Sequence, residues 1–110
     1  MIIDFNAIAE EKISGFKGGE GELLMRSFTD DKCRIMHLSL ASGATVGHHL
    51  HAENCEVIFM LKGELTFVCD GQEETLHSGQ VHYCPKGHAH SYENRGREDV
   101  EYFAVVAEHH

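Results

Sequence analysis

Apolar residues come in short bursts separated by turn residues, a spacing that predicts strands rather than helices. Segments rich in β-branched, aromatic and aliphatic residues cover residues 23–28, 34–40, 57–61, 65–69, 74–77, 81–84 and 100–106. Between them fall Gly18-Gly19, Asp30-Asp31, Ser42-Gly43, Lys62-Gly63, Asp70-Gly71, Ser78-Gly79, Pro85-Lys86-Gly87 and Asn94-Arg95-Gly96. Short strands repeating every ~8–12 residues indicate an antiparallel sandwich or barrel. Asp70-Gly71 is the strongest hairpin signal, because both central residues of a type I′ turn need positive φ. One short helix is predicted over residues 7–12, and residues 1–5 read as a strand that is apolar apart from Asp4. In the second segment His37 alternates with the apolar row Met36, Leu38 and Leu40, and one of these two rows must face the interior. No internal repeat, linker or low-complexity tract interrupts the pattern, so one all-β domain over residues 1–110 accounts for the chain.

Composition narrows the function classes. The chain has 110 residues, 42% of them hydrophobic, which suits one globular domain and not a disordered segment. Nine Lys and Arg against eighteen Asp and Glu give a net charge of −9 with no basic stripe, a poor match for nucleic acid or an anionic membrane surface. The longest apolar runs, residues 57–61 and 103–107, are five residues each, far short of the ~20 a membrane-spanning helix needs. The opening MIIDFNAIAEEK places acids where a signal peptide carries basic residues, so a soluble cytoplasmic protein is expected. Cys33, Cys55, Cys69 and Cys84 form no CxxC pair and are expected to be reduced.

The histidines change the picture. Of ten, seven lie between His48 and His90: His48, His49, His51, His77, His82, His88 and His90. Surface chemistry does not call for so many imidazoles, whereas metal binding does. His109 and His110 end the chain as a tag remnant or a solvated tail and are set aside. His49 and His51 are two apart, so on a strand both rings leave the same face. Glu56 follows a turn over residues 52–55 and opens the next strand, from which it can return a carboxylate to the same point. A second segment, from Gly79 to Asn94, supplies a further strand that can bring His90 alongside. Three imidazoles and a carboxylate leave one or two positions open on a transition metal.

At this point the chain resembles the cupin superfamily. Gly43, His49, His51, Glu56 and Gly63 fill G(X)5HXH(X)4E(X)6G, and Gly79, Pro85, Gly87, His90 and Asn94 fill G(X)5PXG(X)2H(X)3N, all ten positions at the required spacing. The motifs span residues 43–63 and 79–94, and the flanking strands are those of a minimal, single-domain conserved-barrel cupin. The resemblance implies a double-stranded β-helix, or jelly-roll barrel. It implies one divalent transition ion per chain (Fe, Mn, Co, Ni, Cu or Zn) held by His49, His51, Glu56 and His90. It also implies a homodimer, since small cupins commonly pair by exchanging N-terminal strands.

The remaining residues divide between structural and chemical roles. Gly43, Gly63 and Gly79 should reverse the chain at positive φ, Pro85 and Gly87 should bend it toward His90, and Asn94 should close the following turn through its own backbone. His48 should leave the face opposite His49, and Glu53 is expected to be a loop acid. His82 is read as a group supporting His90 or as a surface residue, His88 as a supporting group, a substrate contact or a surface residue, and His77 as part of a solvated hairpin edge. Phe59, Phe67, Tyr92 and Phe103 are expected to be core or cavity wall, and Arg26 and Arg34 lie on early strands that can line the cavity. The function expected is that of a metal-dependent enzyme on a small organic molecule. Glu56, His88 and Tyr92 are the candidate proton-transfer groups. The alternative is a non-catalytic module that binds or senses a small molecule.

Overall fold

Met36, Leu38 and Leu40 are almost wholly buried, which settles the side of β3 (Cys33–Leu40) that faces the core. His37 lies on the other side, its ring 5.8 Å from that of Phe5. The same alternation organises the neighbouring strands in the computed structural model, which describes residues 1–108; His109 and His110 lie outside the described residues. β2 (Glu22–Thr29) turns Leu23 and Met25 inward, and β10 (Val100–Glu108) turns Val100, Tyr102 and Ala104 inward. β5 (Asn54–Lys62) contributes Ile58 and Met60, and β6 (Glu64–Cys69) contributes Leu65 and Phe67. Together these side chains form one apolar cluster between two sheets.

The remaining strands are β1 (Glu11–Ser14), β4 (Thr45–Leu50), β7 (Gln72–His77), β8 (Val81–Cys84) and β9 (Ala89–Glu93). One sheet has the order β1-β2-β3-β10-β5-β8 and the other β4-β9-β6-β7, with every pairing antiparallel. The fold is an all-β jelly roll. The β6–β7 hairpin turns at Asp70 (φ 53°) and Gly71 (φ 76°), the two positive dihedrals the type I′ turn requires. Gly43, Gly63 and Gly79 take positive φ as the motif reading demands.

The N-terminus departs from the sequence reading. Residues 1–4 form no strand, and Met1 and Ile2 are 98% and 93% exposed. The expected helix over 7–12 is replaced by a 3₁₀ turn, Phe5–Ala7, followed by β1 on the sheet edge. Asp4 caps the turn by accepting from the Asn6 N–H at 3.0 Å. Arg26 Nη1 donates to the carbonyls of Phe5 (3.2 Å) and Ile8 (2.7 Å), tying the segment to β2. Arg26 therefore secures the N-terminal segment and does not line the cavity described below.

Candidate metal centre

One end of the barrel interior changes from apolar to polar along rows that are otherwise core. On β5 the buried row Met60 and Ile58 ends in Glu56, and the row that runs from Asn94, just past β9, through Tyr92 ends in His90. β4 reaches the same place by a different device. Val46 points inward, and an unbroken strand would send His48 and Leu50 the same way. A register shift against β9 between Val46 and His49 inverts the alternation, so His49 and His51 face inward while His48 and Leu50 are exposed. The Pro85–Gly87 bend then docks on His51: the Gly87 N–H donates to the His51 carbonyl at 2.7 Å, and the His51 N–H to the His88 carbonyl at 2.9 Å. Asn94 anchors the far end of β9, donating to the carbonyls of Leu40 and Glu98 and accepting from the Gly96 N–H.

These elements bring His49, His51, Glu56 and His90 together, with one donor atom of each within 4.8 Å of all the others. His90 Nε2 lies 3.0 Å from His49 Nε2 and 3.2 Å from His51 Nε2. Glu56 Oε1 lies 2.9 Å from His90 Nε2 and 3.4 Å from His51 Nε2. Atoms held at ~2.0–2.2 Å from a common centre sit about 2.8–3.6 Å apart, so the spacing suits a single ion.

The hydrogen bonds behind the rings fix what each ring presents. His49 Nδ1–H donates to the Gly47 carbonyl at 2.8 Å, and His51 Nδ1–H to Asn54 Oδ1 at 2.6 Å. His82 Nδ1–H donates to Glu74 Oε1 at 2.6 Å, which leaves His82 Nε2 to accept from His90 Nδ1–H at 3.0 Å. All three neutral rings therefore turn an Nε2 lone pair toward the centre. Lone pairs 3.0–3.2 Å apart cannot bond one another, and Glu56 Oε1, although close to two ring nitrogens, is buried without a hydrogen-bond partner. A cation satisfies all four atoms at once, and the donor set fits a divalent transition metal.

The titration of the groups is consistent with this geometry. Burial opposes a charge on Glu56, yet the imidazoles of His51 and His90 beside it bring its pKa down to about 2. Burial lowers the pKa of His49 and His82, favouring their neutral forms, whereas the nearby Glu56 carboxylate raises that of His51.

Beside the donors lies a cavity of about 210 Å³ whose wall includes His49, His51, Glu56, Tyr92, Lys17 and Arg34. Tyr92 bonds through its hydroxyl to the hydroxyl of Tyr102 at 2.8 Å, and burial pushes its pKa well up. His88 faces away from the centre and pairs with Asp70 Oδ2 at 2.6 Å in an exposed position. Glu53 is an exposed loop residue, and His77 pairs with Glu64 on the exposed hairpin. Phe67 stacks on His82 with centroids 3.9 Å apart. Phe59 is on the outer face at 36% exposure and is not core. The four cysteines are free, and burial pushes the Cys84 thiol up to about 12. Gly47, Asn54 and Lys17 were not legible as site residues. Gly47 and Asn54 carry no motif signal, and Lys17 sits near the centre only because of a loop conformation.

The fold and the donor set are those of a cupin. The family described as "Cupin domain" matches residues 36–106, and the chain belongs to it. A relative from Thermotoga maritima named "Oxalate-binding protein" is 33% identical over 112 residues, 96% of this chain and 93% of that protein. A crystal structure from Thermotoga maritima, described as a predicted oxalate decarboxylase, superposes with a TM-score of 0.91 at 31% identity. It covers 99% of this chain and 100% of that one. The Schizosaccharomyces pombe Cnp3 cupin domain shares the fold at TM-score 0.79 and 15% identity, over 96% of this chain and 72% of that one.

Proposed function

We propose that the chain is a single-domain, metal-dependent cupin that binds a small organic acid through one divalent transition ion held by His49, His51, Glu56 and His90. The observation that carries this reading is the convergence of three Nε2 lone pairs and an unpartnered buried carboxylate oxygen beside a cavity. Four protein donors leave positions open on an ion that prefers five or six, and a small oxygen ligand can enter them. Oxalate is the first acid to test, because a full-length relative carries its name. The test is calorimetry of the Mn(II)-loaded protein with oxalate. About one oxalate per chain, abolished by a chelator, supports the reading; no uptake, or uptake that survives metal removal, contradicts it.

The sequence reading placed turnover ahead of capture. We place capture first, because His88 and Tyr92 are engaged elsewhere and Glu56 is the one acid beside the centre. Turnover keeps one support, the resemblance to the Thermotoga structure described as a predicted decarboxylase. Formate and carbon dioxide released from oxalate by the metal-loaded protein, and lost in His49→Ala, would establish it.

The same proposal includes a homodimer, for a different reason than strand exchange. Val57, Phe59, Val81 and Tyr83 are exposed on the outer face of β5 and the edge strand β8, where Val57 pairs with Tyr83 and Phe59 with Val81. An apolar outer face on an edge strand favours pairing. Light scattering should give twice the 12.3 kDa chain mass, and Tyr83→Lys should halve it.

A further inference from the structure

The cavity beside the four donors holds two cations that metal binding does not use. Lys17 and Arg34 are in its wall, and Glu56 is the one carboxylate there. In a chain of net charge −9, that local excess of positive charge runs against the average of the surface.

Arg34 stands near the start of β3. Its Nε is buried without a hydrogen-bond partner, and its Nη2 donates to Met25 Sδ at 3.2 Å, a weak acceptor. A guanidinium N–H buried in this way is costly unless an acceptor reaches it, and the planar fork of arginine matches a carboxylate edge.

Lys17 comes from the 3₁₀ turn Phe16–Gly18 and holds a left-handed conformation (φ 56°, ψ 29°) that residues with a Cβ seldom adopt. The strain is maintained by β4. The Lys17 carbonyl rests on Gly47, where an added Cβ would lie 2.0 Å from that oxygen. Gly47 is also the residue whose carbonyl orients His49, so one glycine registers the lysine loop against the metal site. The Lys17 ammonium lies 5.5 Å from the centre of the Phe16 ring.

Charge and size then select a ligand class. A divalent ion (+2), Glu56 (−1), Lys17 (+1) and Arg34 (+1) sum to +3. A neutral ligand leaves +3, a monoanion +2 and a dianion +1, and excess charge is costly in a partly closed cavity. A volume of about 210 Å³ is below the ~300 Å³ at which pockets begin to hold drug-sized molecules, so the ligand has few heavy atoms. We infer that Lys17 and Arg34 form an anion-recognition pair selecting a small dicarboxylate, whose negative charge is shared between the metal centre and the two cations. The inference rests on the metal-dependent reading above and adds the residues that set its selectivity.

The test uses three isosteres of falling charge, oxalate, oxamate and oxamide, titrated by calorimetry into the Mn(II)-loaded full chain. Wild type should bind them in that order. Arg34→Gln and Lys17→Asn should each weaken oxalate roughly 10- to 100-fold while leaving oxamide unchanged. Asn is chosen at 17 because it tolerates the left-handed conformation, so the variant removes charge without adding strain. Circular dichroism and an unchanged Mn(II) stoichiometry establish that each variant is folded and loaded. Arg34→Lys, which keeps charge and loses the fork, should fall between wild type and Arg34→Gln. Equal binding of the three isosteres by wild type, or oxalate affinity within twofold of wild type in both variants, overturns the pair alone. Failure of wild type to take up any of the three overturns both the pair and the reading it rests on.

Discussion

Replacing His82 by Phe tests the role of a residue that touches the centre only through another. His82 is 3% exposed, stacks on Phe67, and accepts the His90 Nδ1–H at 3.0 Å while donating to Glu74 at 2.6 Å. Phenylalanine keeps the stack and most of the volume but offers no acceptor. His90, which is fully buried, then either leaves its Nδ1–H unsatisfied or shifts the proton to Nε2 and loses the lone pair that faces the centre. An unmade buried bond of this kind costs about 1–3 kcal/mol. Loss of such a supporting group typically weakens metal binding by about 10- to 100-fold, or roughly 1.4–2.8 kcal/mol. Competition against a chromophoric chelator measures the change directly. Glu74→Gln should cost less, because its amide oxygen can still accept from His82 at an exposed position. A His82→Phe protein that is folded and binds metal within twofold of wild type would refute the reasoning.

Three further outcomes are expected. His51→Ala and His90→Ala should remove most of the bound metal, whereas His48→Ala, which alters an exposed side chain on the opposite face of β4, should remove little; elemental analysis of each variant checks this. Gly47→Ala should displace the Lys17 loop and disturb His49 together, lowering both melting temperature and metal affinity, because its Cβ would lie 2.0 Å from a backbone oxygen. Metal at a hundredfold excess over its dissociation constant should add about 2.7 kcal/mol of stability, seen as a rise in melting temperature reversed by chelator. That gain should fade as pH falls through the imidazole range, where protons compete for the same nitrogens, with His51 protonated ahead of His49 because its pKa is raised and that of His49 lowered.

Most strands could be read from the sequence because burial at one face imposes alternation, as Met36, Leu38 and Leu40 show. The convergence of His49, His51, Glu56 and His90 was legible from motif spacing, and turn chemistry at Asp70-Gly71 was legible from the dihedrals it demands. Three features were not. β1 carries Glu11 and Lys12 on a sheet edge, where little is buried and no apolar alternation develops. The bulge in β4 inverts the alternation between Val46 and His49, and no residue type announces it; only the requirement that His49 and His51 face the core implies it. Of the cavity's two cations, Arg34 lies on an early strand that the sequence already allowed to line it, whereas Lys17 comes from a strained loop far from both motifs. Local patterns encode the faces of strands, whereas these placements depend on which strands meet.

The central claim, a single metal ion on His49, His51, Glu56 and His90, is tested most directly by elemental analysis of protein purified without a nickel column, alongside a His49→Ala/His51→Ala double variant. About one transition metal ion per wild-type chain and less than about a tenth of that in the double variant is the predicted result. Stoichiometric metal retained by the double variant, or none taken up by wild type after exposure to Mn, Fe, Co, Ni, Cu and Zn, would contradict it.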